Sequence, residues 1–321
     1  RFPLPSTLLM TAIPARAAGV REVVVCCPRP TAAGLAAAAA AGVDALYPIG
    51  GAQAIAALAY GTATIARVDK IVGPGNAWVA AAKALVARDC PIDLHAGPSE
   101  IVICSDGGRA DWIAADLIAQ AEHDPAARAI FVTTKAALAR AVAAEVVRQV
   151  RQLSDDDGGA IGPPPTRSIG STAAAALTAN GAIVVARSRD QATDIVNRLA
   201  PEHLVCDAAA DVRRFTAAGT IFVGPWSAQA SGDYATGSNH VLPTGGAARF
   251  RGGLTAADFV RVFSVQTLTR RGIETIGPDA MTLAGIEGLS AHAASILKRL
   301  GGRGLLAQAP PSPRQLKRLA K

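Results

Sequence analysis

The sequence predicts an α/β protein with two Rossmann-like, parallel-sheet domains flanking a cleft, followed by a small C-terminal helical or extended segment. Three observations carry this. From residue 22 to about 225 one unit recurs: a short β-branched run, a turn bearing Gly or Pro, then an Ala/Leu helix. The runs are continuously apolar instead of alternating, as strands covered on both faces are. The chain is long and apolar, with 321 residues, 50% hydrophobic and 18% charged. It can bury a large core, and wholesale disorder is excluded.

The first cycle pairs Arg21-Glu22-Val23-Val24-Val25 with a helix over Ala32 to Ala41. It then pairs Asp44-Ala45-Leu46-Tyr47-Pro48 with Ala52 to Ala59, and Val68-Asp69-Lys70-Ile71-Val72 with Ala77 to Ala87. Pro91 to Ser99, rich in turn residues, reads as a hinge. The second cycle opens with the strand Ile101-Val102-Ile103-Cys104 and the helix Trp112 to Glu122. The strand Ala129-Ile130-Phe131-Val132 and the long helix Ala136 to Gln152 follow. Next come the strand Ala182 to Val185, the helix Gln191 to Leu199, and the strands His203 to Cys206 and Thr220 to Val223. Past Asn239 the texture is loop-like, a helix is expected over Ile286 to Leu300, and Gly301 to Lys321 reads as a disordered, solvated tail. The expected domains are 1–98 for dinucleotide binding, 99–245 for catalysis and metal, and 246–300 for dimerisation. Ligands in such sheets are expected at the carboxyl ends of the strands.

Composition excludes several classes of function. The most Ala-rich stretch, Thr31 to Val43, is far shorter than the roughly 20 residues of a membrane span. The opening residues lack the succession of a secretory signal, and the missing initiator Met is expected of a fragment or trimmed product. Five cysteines, an odd number with no Cys-x-x-Cys spacing, imply small hydrophobes in a reducing, cytoplasmic setting. The net charge of +7 is spread over scattered arginines with few aromatics between them, so no nucleic-acid track is visible.

Five histidines stand in this chain, four of them in short polar clusters. Gln120 and His123 are three apart on an expected helix and would face one way. With Asp233 and His292 they offer two imidazoles, a carboxylate and an amide, a mixed N/O set acceptable to zinc. Adjacent Glu202 and His203 provide two proton acceptors of different strength, the imidazole being the better base for an alcohol near neutrality. Gly50-Gly51-Ala52-Gln53 and Gly73-Pro74-Gly75-Asn76 each precede a helix. They serve as tight turns or as phosphate-approaching loops, and neither completes the Gly-x-Gly-x-x-Gly fingerprint.

Seven ordered stretches carry a resemblance. They are Tyr47-Pro-Ile-Gly-Gly-Ala-Gln-Ala-Ile-Ala56, Asp69-Lys-Ile-Val-Gly-Pro-Gly-Asn76, Ala96-Gly-Pro-Ser-Glu100, Ala119-Gln-Ala-Glu-His123, Ala200-Pro-Glu-His-Leu204, Gly232-Asp-Tyr-Ala235 with Asn239-His-Val-Leu-Pro-Thr244, and Glu287-Gly-Leu-Ser-Ala-His292. The chain resembles the histidinol dehydrogenase family across most of residues 4 to 295. The resemblance implies zinc-dependent oxidation of L-histidinol to L-histidine through histidinal, with two NAD. It implies Gln120, His123, Asp233 and His292 as zinc ligands, with Glu202 and His203 as the acid/base pair. Ser99, His240 and Glu287 would contact histidinol together with the zinc ligands and His203, and Gln53 and Asn76 would hold NAD. It also implies a homodimer in which a C-terminal segment brings Glu287 and His292 into the neighbour's site.

Three departures from that pattern stand out. Trp78 occupies a usual tyrosine position, His95 stands where an apolar residue or proline is expected, and the family's additional N-terminal region, ending in Tyr-x-Pro-Gly-Gly at NAD, is absent. The alternatives are a related zinc/NAD dehydrogenase of another amino or sulfonated alcohol, a truncated non-catalytic binding protein, and a zinc hydrolase in which Glu202 activates water.

Overall fold

The structure, a computed structural model, describes residues 5–94, 97–155 and 169–301. His95 and the expected tail beyond residue 301 lie outside the described residues. Two compact units divide the chain, Arg1–Val260 and Arg261–Lys321.

The first unit opens with helix α1 (Pro5–Ala17), which has no counterpart in the sequence pattern and packs on α2 (Ala32–Ala40). Strands β1 (Val24–Cys26) and β2 (Ala45–Tyr47) pair in parallel, Val24 opposite Ala45. Helices α3 (Gly51–Tyr60) and α4 (Ala77–Val86) bury Ile55, Leu58 and Val86 with Ile65, Ile71 and Cys90. The expected strand Val68–Val72 does not form, and Ile71 makes only an isolated parallel bridge to Ile92. Its middle is the charged pair Asp69-Lys70, and the Lys70 ammonium lies 5.7 Å over the Phe259 ring.

The second sheet is five-stranded and wholly parallel, in the order β5 (Gly181–Val185), β4 (Arg128–Thr133), β3 (Glu100–Cys104), β6 (His203–Cys206), β7 (Thr220–Val223). Both faces of the central strands are covered, which explains their unbroken apolar runs, while the edge strand β5 keeps Ile183 and Val185 exposed. Ile101 and Ile103 pack with Ile113 and Leu117 of α5 (Ala110–Ala121) and Val142 of α6 (Ala136–Asp155). Val102, between them, packs with Val196 of α8 (Arg189–Leu199) and Leu204. Helix α7 (Ile169–Asn180) contributes Ala173 and Ala176 against Ile118 and Ala121. The chain steps outward from β3 through β4 to β5, then returns to lay β6 on the other side of β3. The topological switch point therefore lies between β3 and β6.

At the carboxyl ends that crevice is filled. Asp106 accepts from the Thr133 hydroxyl at 2.9 Å and the Thr134 amide at 2.6 Å, while its own amide donates to Asp207 Oδ2 at 2.8 Å. The remaining cavity holds about 30 Å³, room for about one water. The candidate pair Glu202-His203 stands at the amino end of β6, opposite the carboxyl ends at which ligands are expected.

In the second unit the helix expected over Ile286–Leu300 is α10 (Ser290–Arg299), and it is preceded by a helix that the sequence pattern does not predict, α9 (Arg270–Ile286). Gly288, at φ +75°, ends α9, and the Leu289 amide returns to the Ala284 carbonyl at 2.8 Å. Gly277 is the point of closest approach, since a Cβ there would meet Leu300 at 3.1 Å. Val262, Phe263, Val265 and Leu268, which precede α9, are exposed. Among the described residues no helix is long and apolar enough to cross a membrane.

Candidate active site

The parallel register sets Ile101 opposite His203, so the peptide of Glu100 lies beside the entry to β6. Its N–H donates to Glu202 Oε2 at 2.8 Å, and its C=O meets His203 Nδ1 at 3.2 Å. That second bond places the proton on Nδ1 and leaves Nε2 as the bare lone pair. Upstream, α8 ends on Ala200, the only non-glycine residue at positive φ (48°) among the described residues, which turns the chain sharply into Pro201-Glu202-His203. Gly219 is needed beside it, because a Cβ would fall 2.6 Å from the Glu202 carbonyl.

Burial governs the chemistry of this pair. Desolvation pushes the Glu202 carboxyl up to about 8 against the help of the Glu100 N–H, with the Glu100 and Asp233 carboxyls adding to the rise. Desolvation pushes the His203 imidazole down to about 4, with His123 and His240 nearby. Glu202 Oε2 and His203 Nδ1 are 3.7 Å apart, within ion-pair distance. Between pH of about 4 and about 8 both are neutral, so the contact is no salt bridge.

Next to them, β7 carries Phe222, whose ring lies 6.0 Å from the His203 ring. Gly232 sits on Phe222 so closely that a Cβ would meet the ring at 2.5 Å. This contact seats the 3-10 turn Gln229–Asp233, against which α5 packs. Gln120, near the end of α5, is buried with its Oε1 unpartnered. The expectation that His123 shares the helix with Gln120 is corrected: α5 ends at Ala121, and His123 lies beyond it, half exposed. Its Nδ1 meets the Ala119 carbonyl at 3.0 Å, and its Nε2 lies 3.9 Å from Asp233 Oδ2. Burial raises the Asp233 carboxyl, opposed by His123 and His240.

These donors suit zinc: an unused amide oxygen, an imidazole nitrogen and a carboxylate. Among the described residues no three His, Cys, Asp or Glu side chains gather closely enough to hold a metal. Of the four residues expected as ligands, Gln120, His123 and Asp233 stand in this unit. His292 stands on α10 and Glu287 caps α9, both in the second unit.

His240 uses both ring nitrogens, Nδ1 with the Asp233 carbonyl at 3.1 Å and Nε2 with the Thr7 hydroxyl of α1 at 3.0 Å. The Asn239 amide group bonds the Met10 carbonyl at 2.6 Å, so α1 fastens this loop. Half-buried Ser99 precedes Glu100. Gln53 and Asn76 are both exposed, at the starts of α3 and α4. Asn76 Oδ1 caps α4 by accepting from the Val79 amide at 3.1 Å. Trp78, two residues on, is exposed.

Two site groups escape a motif-by-motif reading. Glu100 closes the Ala96–Glu100 stretch, and only the strand register reveals that its peptide joins the pair. Gln229 is buried with neither amide atom partnered, four residues before Asp233. No spacing signal marks it.

A family model described as histidinol dehydrogenase matches residues 1–300. A protein of Aromatoleum aromaticum named histidinol dehydrogenase is 48% identical over 311 residues, covering 94% of this chain and 68% of that protein. Its namesake from Cereibacter sphaeroides is 47% identical over 304 residues, covering 92% and 67%. The crystal structure of histidinol dehydrogenase from Elizabethkingia anophelis superposes with a TM-score of 0.85 at 35% identity, covering 94% of this chain and 68% of that one.

Proposed function

The chain belongs to the histidinol dehydrogenase family, and on that premise we propose that it oxidises L-histidinol to L-histidine by way of histidinal, with zinc and two NAD. The single observation that carries this reading is the Glu100 peptide, which holds a buried carboxyl and a buried imidazole side by side and fixes the imidazole tautomer. When bound, zinc supplies Lewis acidity and NAD the two-electron acceptor.

His203 takes the alcohol proton at Nε2, the nitrogen left bare by the bond from Nδ1 to Glu100. Burial keeps that imidazole neutral at physiological pH, so the lone pair is available. Glu202 takes the proton of the water that attacks the aldehyde. Because burial holds its carboxyl at about 8, it becomes competent as pH rises toward that value. Ser99, His240 and Glu287 orient histidinol, with Thr7 setting the ring of His240. Gln120, His123 and Asp233 hold zinc with His292, and Gln53 and Asn76 hold NAD.

The incomplete ligand set of the first unit supports a homodimer in which Glu287 and His292 serve the partner's site. The exposed run from Val262 to Leu268 is apolar surface of the kind such an interface covers. We retain the functional division into 1–98, 99–245 and 246–300. Five free cysteines fit a cytoplasmic setting.

The test is NADH formation from L-histidinol by the zinc-loaded chain, at two equivalents per substrate. Glu202→Gln should stop after one equivalent, leaving an aldehyde that a carbonyl trap captures. No NADH from histidinol in the zinc-loaded dimer overturns the reading.

A further inference from the structure

Outside the catalytic cluster, one fully buried ion pair among the described residues is left unused by the chemistry above. Lys83 of α4 and Asp93 are 3% and 1% exposed, and the ammonium contacts the carboxylate directly. Such a pair is expensive to bury and is weak evidence of stability in itself. Its remaining bonds converge on one residue. The Lys83 ammonium donates to the Gly73 carbonyl at 2.8 Å, and the Gly73 amide donates to Asp93 Oδ2 at 2.7 Å. Both polar groups of the Gly73 backbone are thus tied to a single pair of charges.

Gly73 stands at φ +108°, a conformation open to glycine and strained for other residues. It begins the turn Gly73-Pro74-Gly75-Asn76, which ends in the cap of α4. Asp93 is held in turn by its own backbone: its Oδ1 accepts the Leu94 amide at 2.7 Å, its amide donates to the Ile71 carbonyl at 3.1 Å, and its carbonyl accepts from Arg251. The anchor is therefore rigid on the Asp93 side, and the turn hangs from it.

We propose that Lys83 and Asp93 are positioning residues that set the Gly73–Asn76 turn and, through it, the affinity for the dinucleotide. This rests on the reading that the turn meets NAD. Neither side chain touches the ligand. They fix the main-chain path along which the Asn76 amide group and the backbone of the turn are presented.

The test uses the full chain with Lys83→Met, Asp93→Asn and the double variant Lys83→Met/Asp93→Asn, titrated with NAD by calorimetry. Melting temperature and KM for NAD and for histidinol are measured alongside. Each variant should weaken NAD binding by about ten- to a hundredfold, as small displacements of positioning groups do, with KM for histidinol held. The double variant leaves no unpaired buried charge. It should regain melting temperature relative to Lys83→Met without regaining NAD affinity, which separates positioning from stability. A folded double variant that binds NAD as tightly as the parent overturns this inference and leaves the enzymatic reading intact. A parent chain that binds no NAD overturns both.

Discussion

Glu202→Gln isolates what burial does to one carboxyl. Desolvation holds this group at about 8 against an ordinary 4.5. Below about pH 4.5 the carboxyl is protonated in folded and unfolded chains alike, so its contribution is fully present. As pH rises toward 8 the unfolded chain releases the proton and the folded chain does not, and stability is lost. Over the full gap of about 3.5 pH units, at about 1.36 kcal/mol each, the loss is about 5 kcal/mol. Glutamine is nearly isosteric, can accept the same Glu100 N–H and has no proton to release. The variant should match the parent near pH 4 to 5 and exceed it by several kcal/mol at pH 9. His203, lowered to about 4, costs stability as pH falls from 6.5, but equally in both proteins, so it cancels. Urea unfolding with a metal chelator at pH 5, 7 and 9 measures the difference. A gap that does not change with pH refutes the reasoning.

His203→Asn should lower kcat by about a hundred- to ten-thousandfold. In the parent, kcat/KM should show no inflection near 6.5 from this group, because burial keeps the imidazole neutral down to about 4, and an inflection there on His203 would contradict that. Gly232→Ala drives a methyl to 2.5 Å from the Phe222 ring, an overpacking that costs about 1–3 kcal/mol. The same displacement of Asp233 should lower zinc content by metal analysis, and unchanged stability and zinc would argue against the placement. Thr7→Val removes the hydroxyl that meets His240 Nε2 at 3.0 Å. It should cost about 1 kcal/mol in urea unfolding and raise KM for histidinol, with an unaltered KM counting against the role of α1.

The strands of the five-stranded sheet are legible in sequence because each is an apolar run closed by a turn residue. The packing of Ile101 and Ile103 on one face and Val102 on the other shows why those runs do not alternate. Val68–Val72 misleads because Asp69-Lys70 interrupts it and only Ile71 finds a strand-like partner. Helix α1 escapes notice because Pro5 and Pro14 break the periodic signal, although proline is tolerated in a first helical turn. The residue types of the candidate site are visible as motifs. Their convergence is not, since Glu202 meets the backbone of Glu100 only through strand order, and α1 reaches His240 across 233 positions. The amino-end location is equally hidden, for it depends on where β6 begins and on its register with β3.

Fastening acid and base to the backbone of one residue instead of a side chain has an evolutionary corollary. Substitution at position 100 by any residue but proline, which lacks the N–H, leaves both tethers standing. One inserted or deleted residue in β3 would shear them apart together. The lineage of this enzyme should therefore hold the length of that strand fixed, with its apolar character kept by the buried Ile101, Val102 and Ile103.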